Sequence, residues 1–545
     1  MTAGATSETE VPVLIVGASL VGMTSALLLA RHGIPALAVE HHRGTAIHPR
    51  AAHATQRTLE ILREAELEER VRARSAEQFP QEGGIVGVHT LAGGLTASYI
   101  PDLNAGVRDV SPCERLFLSQ TALEPLLRER AEALGARLRF ATEVVSLRQD
   151  ATGVTALLRE RDGGAMHEVR ASWVIAADGA RSRVRQQLGL GTHGRGTFSR
   201  SATLYFRADL RPLVAAHNWA VVYVNNERLR GFFRFEKPFL SGFLAVNTTG
   251  DPAMPDTDVA RDGLDPEQAR ELVFAALGTR DVAVQIDDVM PWEASALVAD
   301  RLRAGRIFLA GDAAHAMPPT GGFGGNTGIA DAHNLAWKLA LVLKGHADPV
   351  LLDTYETERL PVADFTVEQA YTRYVLRTDP SLDRGAAAPL VPDLEIELGY
   401  RYASSAIAAG PDPAPLHGDP RASRGQPGTR LPHVWLSRGG ERVSTLDLPA
   451  GAFALLAAPD GTAWADAAGE AARTTAVPIS AHRPGTDALG DPTGACVEAL
   501  GLRPNGCLLV RPDGFVAWRS GDQDEPTGER LAEIVLQLLG RTPDA

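Results

Sequence analysis

Apolar and polar positions along this chain set out its elements before any chemistry is read. Val11 to Val16 is a short β-branched apolar run, which predicts a buried strand. The six residues GASLVG follow, Gly17 to Gly22, and the stretch LVGMTSALLLARHG predicts a helix ending at Gly33, a residue suited to a helix C-terminus. Ala36 to Val39 predicts a second strand, closed by Glu40. Strand, glycine turn, helix, strand is a βαβ opening. SQTALEPLLRERAEALG predicts an amphipathic helix with Ser119 as N-cap and Gly135 as stop. Trp173 to Leu190 reads as a buried strand feeding a turn and a short helix.

From about 191 to 290 the period becomes that of strands. LYFRADL, WAVVYV, GFFRF and SGFLAVN are rich in aromatic residues and predict a sheet inserted into the α/β frame. Ile307 to Ala310 predicts a strand that leads into a Gly/Pro-rich loop, and a long helix is expected from Asn326 or Thr327. Ile329, Ala332, Leu335, Ala336, Leu339 and Leu343 form its apolar stripe, and Gly345 closes it. Residues 375–430, rich in Pro, Ala, Asp and Arg, read as a linker or wrapping segment. A last βα unit occupies about 431 to 540.

Composition narrows the class. The 545 residues suggest three to four domains, and 44% hydrophobic with 22% charged residues is ordinary globular composition. A net charge of −13 without a basic face argues against nucleic-acid binding. Cys113, Cys496 and Cys507 form no CxxC and no zinc-ligand spacing, so neither a disulfide framework nor a metal site is expected. The polar N-terminus and the absence of a long apolar stretch predict a cytoplasmic protein with no membrane partner.

GASLVG carries the first chemistry. Gly17 permits the tight turn and Gly22 lets helix and strand pack closely, so that free N–H groups face a pyrophosphate. Glu40, 23 residues after Gly17, is placed to accept from ribose hydroxyls. Ser19 stands where the middle glycine is usual. The fingerprint alone does not separate NAD from FAD. The loop Pro318 to Gly325 precedes a helix N-terminus, an arrangement that favours an anion by roughly 0.3–2 kcal/mol.

Two further segments, AADGARSRVR and LAGDAAH, stand in family order after GASLVG, and together the three resemble the FAD-dependent aromatic hydroxylases, the class A flavoprotein monooxygenases. RYASSAI, PGTRLPHVWL and LVRPDGFVAWR extend the resemblance to phenol hydroxylases and bacterial polyketide hydroxylases, the aklavinone-11-hydroxylase group among them. The resemblance implies an α/β fold: a Rossmann-like FAD-binding domain, an inserted mostly antiparallel β-sheet substrate domain and a C-terminal thioredoxin-like domain, redox-inert here for want of a CxxC. The expected boundaries are 8–78, 111–190 and 290–375 for the FAD domain and 79–110 with 191–289 for the substrate domain. A linker at 376–430 and a C-terminal domain at 431–545 complete them.

The resemblance also implies cofactor residues. Gly17, Ser19, Val21, Gly22 and Glu40 would serve the nucleotide end, with Arg50 and Gln120 toward the flavin. Asp178 and Gly179 match a motif shared by FAD and nicotinamide binding, and Gly311 with Asp312 one that holds the ribityl chain. Pro319, Gly324, Gly325 and Asn326 belong to the flavin loop. Ser19, and His41 where the family usually has Arg, are departures that soften AMP-side binding.

The activity implied is hydroxylation of a polycyclic aromatic, polyketide-type compound through a flavin C4a-hydroperoxide, with FAD as cofactor, NADPH or NADH as co-substrate and O₂ as partner. Baeyer–Villiger or decarboxylative oxygenation remains open, as does a flavoprotein that binds a drug-like ligand without turnover. A halogenase is disfavoured for lack of a WxWxIP segment and of a catalytic Lys, Lys237 and Lys338 being poorly placed. Homo-oligomerisation is left open. No catalytic base is identified; His53 and Tyr223 are the candidates. Tyr205, Tyr223, Phe233 and Phe235 are pocket candidates, with core packing an equal reading for each. His315 reads as structural, Trp292 and Trp337 as core, Asp331 as support for its helix N-terminus, and Cys496 and Cys507 as inert.

Overall fold

Consecutive apolar runs need cover on both faces, and the first sheet supplies it. In this computed structural model, residues 10–48, 53–81, 83–247, 264–382, 387–408 and 415–542 are described. Strands Ile307–Leu309, Met166–Ala176, Glu10–Val16, Ala36–Val39 and Arg137–Arg139 lie side by side, all parallel. Ala36–Val39 and Ile307–Leu309 are buried throughout. An antiparallel hairpin, Thr142–Gln149 and Val154–Glu160, extends from Met166–Ala176. Helices Leu20–Arg31 and Phe323–Leu343 pack against each other beside this sheet.

The second sheet has eight strands, in the order 315–316, 285–299, 192–207, 241–247, 230–236, 219–225, 84–88 and 95–100. All its pairs are antiparallel except 219–225 with 84–88. Strand Gln285–Ala299 pairs with Thr192–Arg207 over almost its whole length, so the boundary expected at 289/290 falls inside a continuous strand.

The segment expected as a linker is built into the body. Helix Asp393–Leu398 follows the long helix Asp353–Arg377, and Tyr400 and Tyr402 are buried against Phe515, the Tyr402 and Phe515 ring centroids 4.1 Å apart. Pro and Ala richness masked these aromatic anchors. The C-terminal sheet runs 479–482, 453–457, 507–510, 516–519, with helices Thr462–Thr475 and Gly528–Leu538 packed together beside it. It is joined to the first domain by buried charges. Arg430 holds Glu60 at 2.5 and 2.9 Å, Arg511 holds Glu358 at 2.6 and 3.0 Å, and Arg57 donates to the Asp513 carbonyl at 2.8 Å. Trp337 is buried in this junction, and burial pushes the Cys496 thiol up to about 12. Among the described residues no helix is long and apolar enough to cross a membrane.

Candidate active site

The glycine turn after the first strand has no room for side chains. Gly17 has φ +94°, and a Cβ there would lie 2.3 Å from the Ala177 carbonyl oxygen. A Cβ on Gly22 would lie 1.9 Å from the Gly17 carbonyl oxygen. Ser19 begins the helix but does not cap it with its side chain. Its hydroxyl instead donates to Glu124 at 2.6 Å and accepts from Gln120 at 2.8 Å. The structure thus brings Ser19 and Gln120 together around Glu124, a buried carboxylate that sequence reading missed; it also takes the Ala46 N–H at 2.6 Å. Glu40 is buried at the end of its strand and accepts from the N–H groups of Ala18 (2.8 Å) and His42 (2.9 Å). Ligand-type atoms of Glu40, His41 and His42 lie within 4.8 Å of one another, with the Glu40 oxygens already taking those N–H groups. Arg50 lies outside the described residues.

The second and third motifs meet beneath this turn. Asp178 accepts from the Ser182 hydroxyl at 2.6 Å and the Val184 N–H at 3.1 Å, and Gly179 has φ +83°. Arg185 donates to the Ala313 carbonyl at 2.7 Å, which ties the two motifs together. Gly311 has φ +61°, and a Cβ on it would strike Val21 at 2.7 Å. Asp312 is exposed. Asp331 does not support its helix N-terminus as expected. It lies further along the helix, fully buried, and accepts from the Gly311 N–H (3.0 Å), His315 (2.7 Å) and Arg359 (2.7 Å). Burial opposes its ionisation, but Arg359 and His315 outweigh this and hold the carboxyl below its usual range.

The flavin loop ends in two left-handed glycines, Gly321 (φ +89°) and Gly322 (φ +68°). The helix expected from Asn326 or Thr327 starts at Phe323, because the Gly322 turn ends there and the Phe323 ring is buried. Gly324 and Gly325 fall in its first turn, half-buried, where backbone N–H groups lack helical partners; Pro319 is exposed on the loop ahead of it. Asn326 staples this turn to the chain after the second strand. Its amide donates to the carbonyls of His53 (3.0 Å) and Gly322 (2.6 Å), and its oxygen accepts from the Thr55 N–H (2.9 Å) and the Thr58 hydroxyl (2.6 Å). A Cβ on Gly322 would lie 2.7 Å from His53 Nδ1. Burial, reinforced by Arg115 and Arg234, pushes His53 down to about 3, so its ring is neutral at physiological pH.

The second sheet turns two different faces to its surroundings. Phe233 and Phe235 lie with Leu204, Phe206, Val222 and Leu244 in a core beside helix Pro266–Leu277. They are removed from the pocket candidates, since alternate strand residues point to opposite faces. Tyr205 and Tyr223 lie on the other face with Phe232 and Phe243. Trp292, expected in a core, is half-buried and donates to Thr203 at 3.0 Å. His48, from the chain after the second strand, stacks on Tyr205 with centroids 4.8 Å apart. Arg234, also on this face and buried, lies over the rings of Phe79 and Phe117; its placement was not legible because GFFRF offers no alternation to phase. Burial pushes the Tyr223 phenol up. Lys338 is fully buried on Glu358 (2.8 Å).

Glycine turns with no space for a side chain, a buried acid at the second strand's end and a helix N-terminus behind a left-handed turn fit a flavin dinucleotide. Comparison with known proteins decides the family. Residues 10–370 match the FAD binding domain family and residues 424–542 the family of aromatic-ring hydroxylase C-terminal domains. The chain belongs to the FAD-dependent aromatic-ring hydroxylases. This hydroxylase is an FAD-dependent monooxygenase. It is 52% identical to the 4-methyl-5-nitrocatechol 5-monooxygenase of a Burkholderia species, with 98% of each chain covered. It is 41% identical to the tetracenomycin B2 monooxygenase-dioxygenase of Streptomyces olivaceus, covering 98% of this chain and 99% of the relative. The crystal structure of aklavinone-11 hydroxylase with FAD and aklavinone matches with a TM-score of 0.91 at 36% identity, covering 98% of this chain and 100% of that one.

Proposed function

We propose that the hydroxylase uses NADPH or NADH and O₂ to hydroxylate a phenolic ring held as its phenolate. The observation that carries this reading is Arg234, a buried cation on the aromatic face that also bears Tyr205, Tyr223 and Phe232. A buried positive charge beside a bound phenol favours its ionised form, the more electron-rich one. When bound, FAD supplies hydride acceptance from the nicotinamide and activation of O₂.

The chain's own residues do the rest. Gly17, Ser19, Val21, Gly22 and Glu40 would bind the nucleotide end, and Asp178, Gly179, Gly311 and Asp312 the middle of the cofactor. The N-terminus of Phe323–Leu343, with Pro319, Gly324 and Gly325, would favour negative charge on the ring system. Neither His53, down at about 3, nor Tyr223, pushed up by burial, is suited to exchanging a proton near neutral pH. His53 therefore shapes the Gly322 turn, and Tyr223 lines the pocket.

The polyketide-type reading and a nitrocatechol reading share this chemistry. The nitrocatechol reading is favoured by the 52% identity to a nitrocatechol monooxygenase. NAD(P)H oxidation by purified protein, with nitrocatechols and polycyclic phenols and with products followed under ¹⁸O₂, tests both. A stimulated rate with one ¹⁸O incorporated establishes the hydroxylase and its ring class. Ring expansion or loss of CO₂ would establish Baeyer–Villiger or decarboxylative oxygenation instead. A yellow protein that binds the panel without turnover would be a ligand-binding flavoprotein. Protein that takes up no FAD would overturn the reading.

A further inference from the structure

We infer that Arg359 is a positioning residue for bound FAD, through which the C-terminal part of the chain acts on the flavin site. The inference rests on FAD occupying the Gly311–Asp312 turn. One face of helix Asp353–Arg377 holds that turn from behind. Tyr355 donates its hydroxyl to the Leu309 carbonyl at 2.7 Å, and Arg359, one turn on, donates to Asp331 at 2.7 Å and to the Thr327 carbonyl at 3.1 Å. Asp331 in turn takes the Gly311 N–H at 3.0 Å. The turn has no slack, because a Cβ on Gly328 would lie 2.9 Å from the Gly311 Cα. Any shift of Asp331 is therefore passed to Gly311.

The other side of the same helix faces the C-terminal part of the chain. Arg359 also donates to the Tyr402 hydroxyl at 3.3 Å. Its neighbour Glu358 accepts from Arg511 at 2.6 and 3.0 Å and from Ser404 at 2.6 Å. Glu358, Arg359 and Arg511 are all buried to about 1% exposure or less, so solvent screens none of these contacts. Adjacent residues of one helix thus grip the C-terminal domain and the flavin turn. This gives a domain that lacks a CxxC a task in cofactor binding.

The test measures FAD release from purified holoenzyme on dilution, by flavin fluorescence, together with the flavin midpoint potential and the unfolding midpoint. Asp331→Asn keeps the shape but cannot satisfy Gly311, His315 and Arg359 at once, and the expected result is an FAD dissociation constant raised about tenfold or more with a shifted potential. Tyr402→Phe moves both in the same direction by less, and decides the matter if Asp331→Asn does not fold. Arg430→Met breaks another buried pair of the same interface and is expected to lower the unfolding midpoint with no change in FAD release. Wild-type FAD release and potential in both test variants would overturn the inference. So would FAD loss in Arg430→Met equal to that in the test variants. A wild-type protein that binds no FAD would instead sink the functional reading, and the inference with it.

Discussion

The guanidinium carbon of Arg234 sits 4.4 Å from the centroid of the Phe117 ring and 4.7 Å from that of Phe79. Both ring faces attract the cation. Burial pushes Arg234 down to about 9, with Glu236 and Tyr223 opposing the shift. The proposed phenolate would be favoured beside this charge. A nitrocatechol used as a probe of the proposed site reports its own ionisation by its visible colour. With Arg234→Met, the pH at which the bound ligand ionises is expected to rise by about one unit, the equivalent of roughly 1.4 kcal/mol. The cation is present below its pKa, so wild-type affinity for the anion falls as pH rises through about 9. Arg234→Met lacks that fall. A spectrophotometric pH titration of the complex checks both.

Two neighbouring phenylalanines point to opposite faces of the second sheet. Phe233→Ala empties a fully buried site and should cost about 3–5 kcal/mol of stability. Phe232→Ala, on the half-buried aromatic face, should cost less. Its expected effect is a raised KM and more NAD(P)H diverted to H₂O₂, as water reaches the reaction. Thermal unfolding and peroxide assays on the two variants distinguish the faces.

Local features were legible in the sequence and distant ones were not. The Gly17 turn, the strand ending in Glu40 and the helix beginning at Gln120 are each written within a few residues. The phase of GFFRF is not, because consecutive aromatics suit either face and the neighbouring strands decide. Asp331 shows the same limit. Its expected role came from nearness to a helix start, whereas its partners Gly311 and Arg359 lie 20 and 28 residues away. The 376–430 segment looked like a linker because composition does not show that Tyr402 packs on Phe515.

Asn326 makes its contacts through one small amide, so substitutions divide them. Asn326→Asp keeps an acceptor for Thr55 and Thr58 but loses the donor to the carbonyls of His53 and Gly322. Each buried carbonyl left without a donor costs about 1–3 kcal/mol. The expected result is a lower unfolding midpoint and weaker FAD binding, since the Gly322 turn loses its tie. Asn326→Ala should be worse on both counts. Unfolding in saturating and in trace FAD separates the two effects.

Acid should loosen the C-terminal domain through Glu60. This carboxylate takes Arg430 at 2.5 and 2.9 Å, the Ser111 hydroxyl at 2.6 Å and Arg57 at 3.1 Å. Burial alone would raise its pKa, but Arg430 and Arg57 outweigh it and hold the group down at about 2. A depressed carboxylate adds stability that is complete above its unfolded value near 4.5 and lost as pH falls through about 2. Glu64, also held down to about 2 after burial is outweighed by its bond to His333, adds in the same window. Stability should therefore fall between about pH 4.5 and pH 2. Glu60→Gln leaves two guanidinium groups buried beside a neutral amide, a loss of about 3–5 kcal/mol at pH 7. Its stability should depend less on pH in that window, because the group that titrates there is gone. Denaturant titrations at pH 7 and at pH 3.5 on both proteins measure the difference.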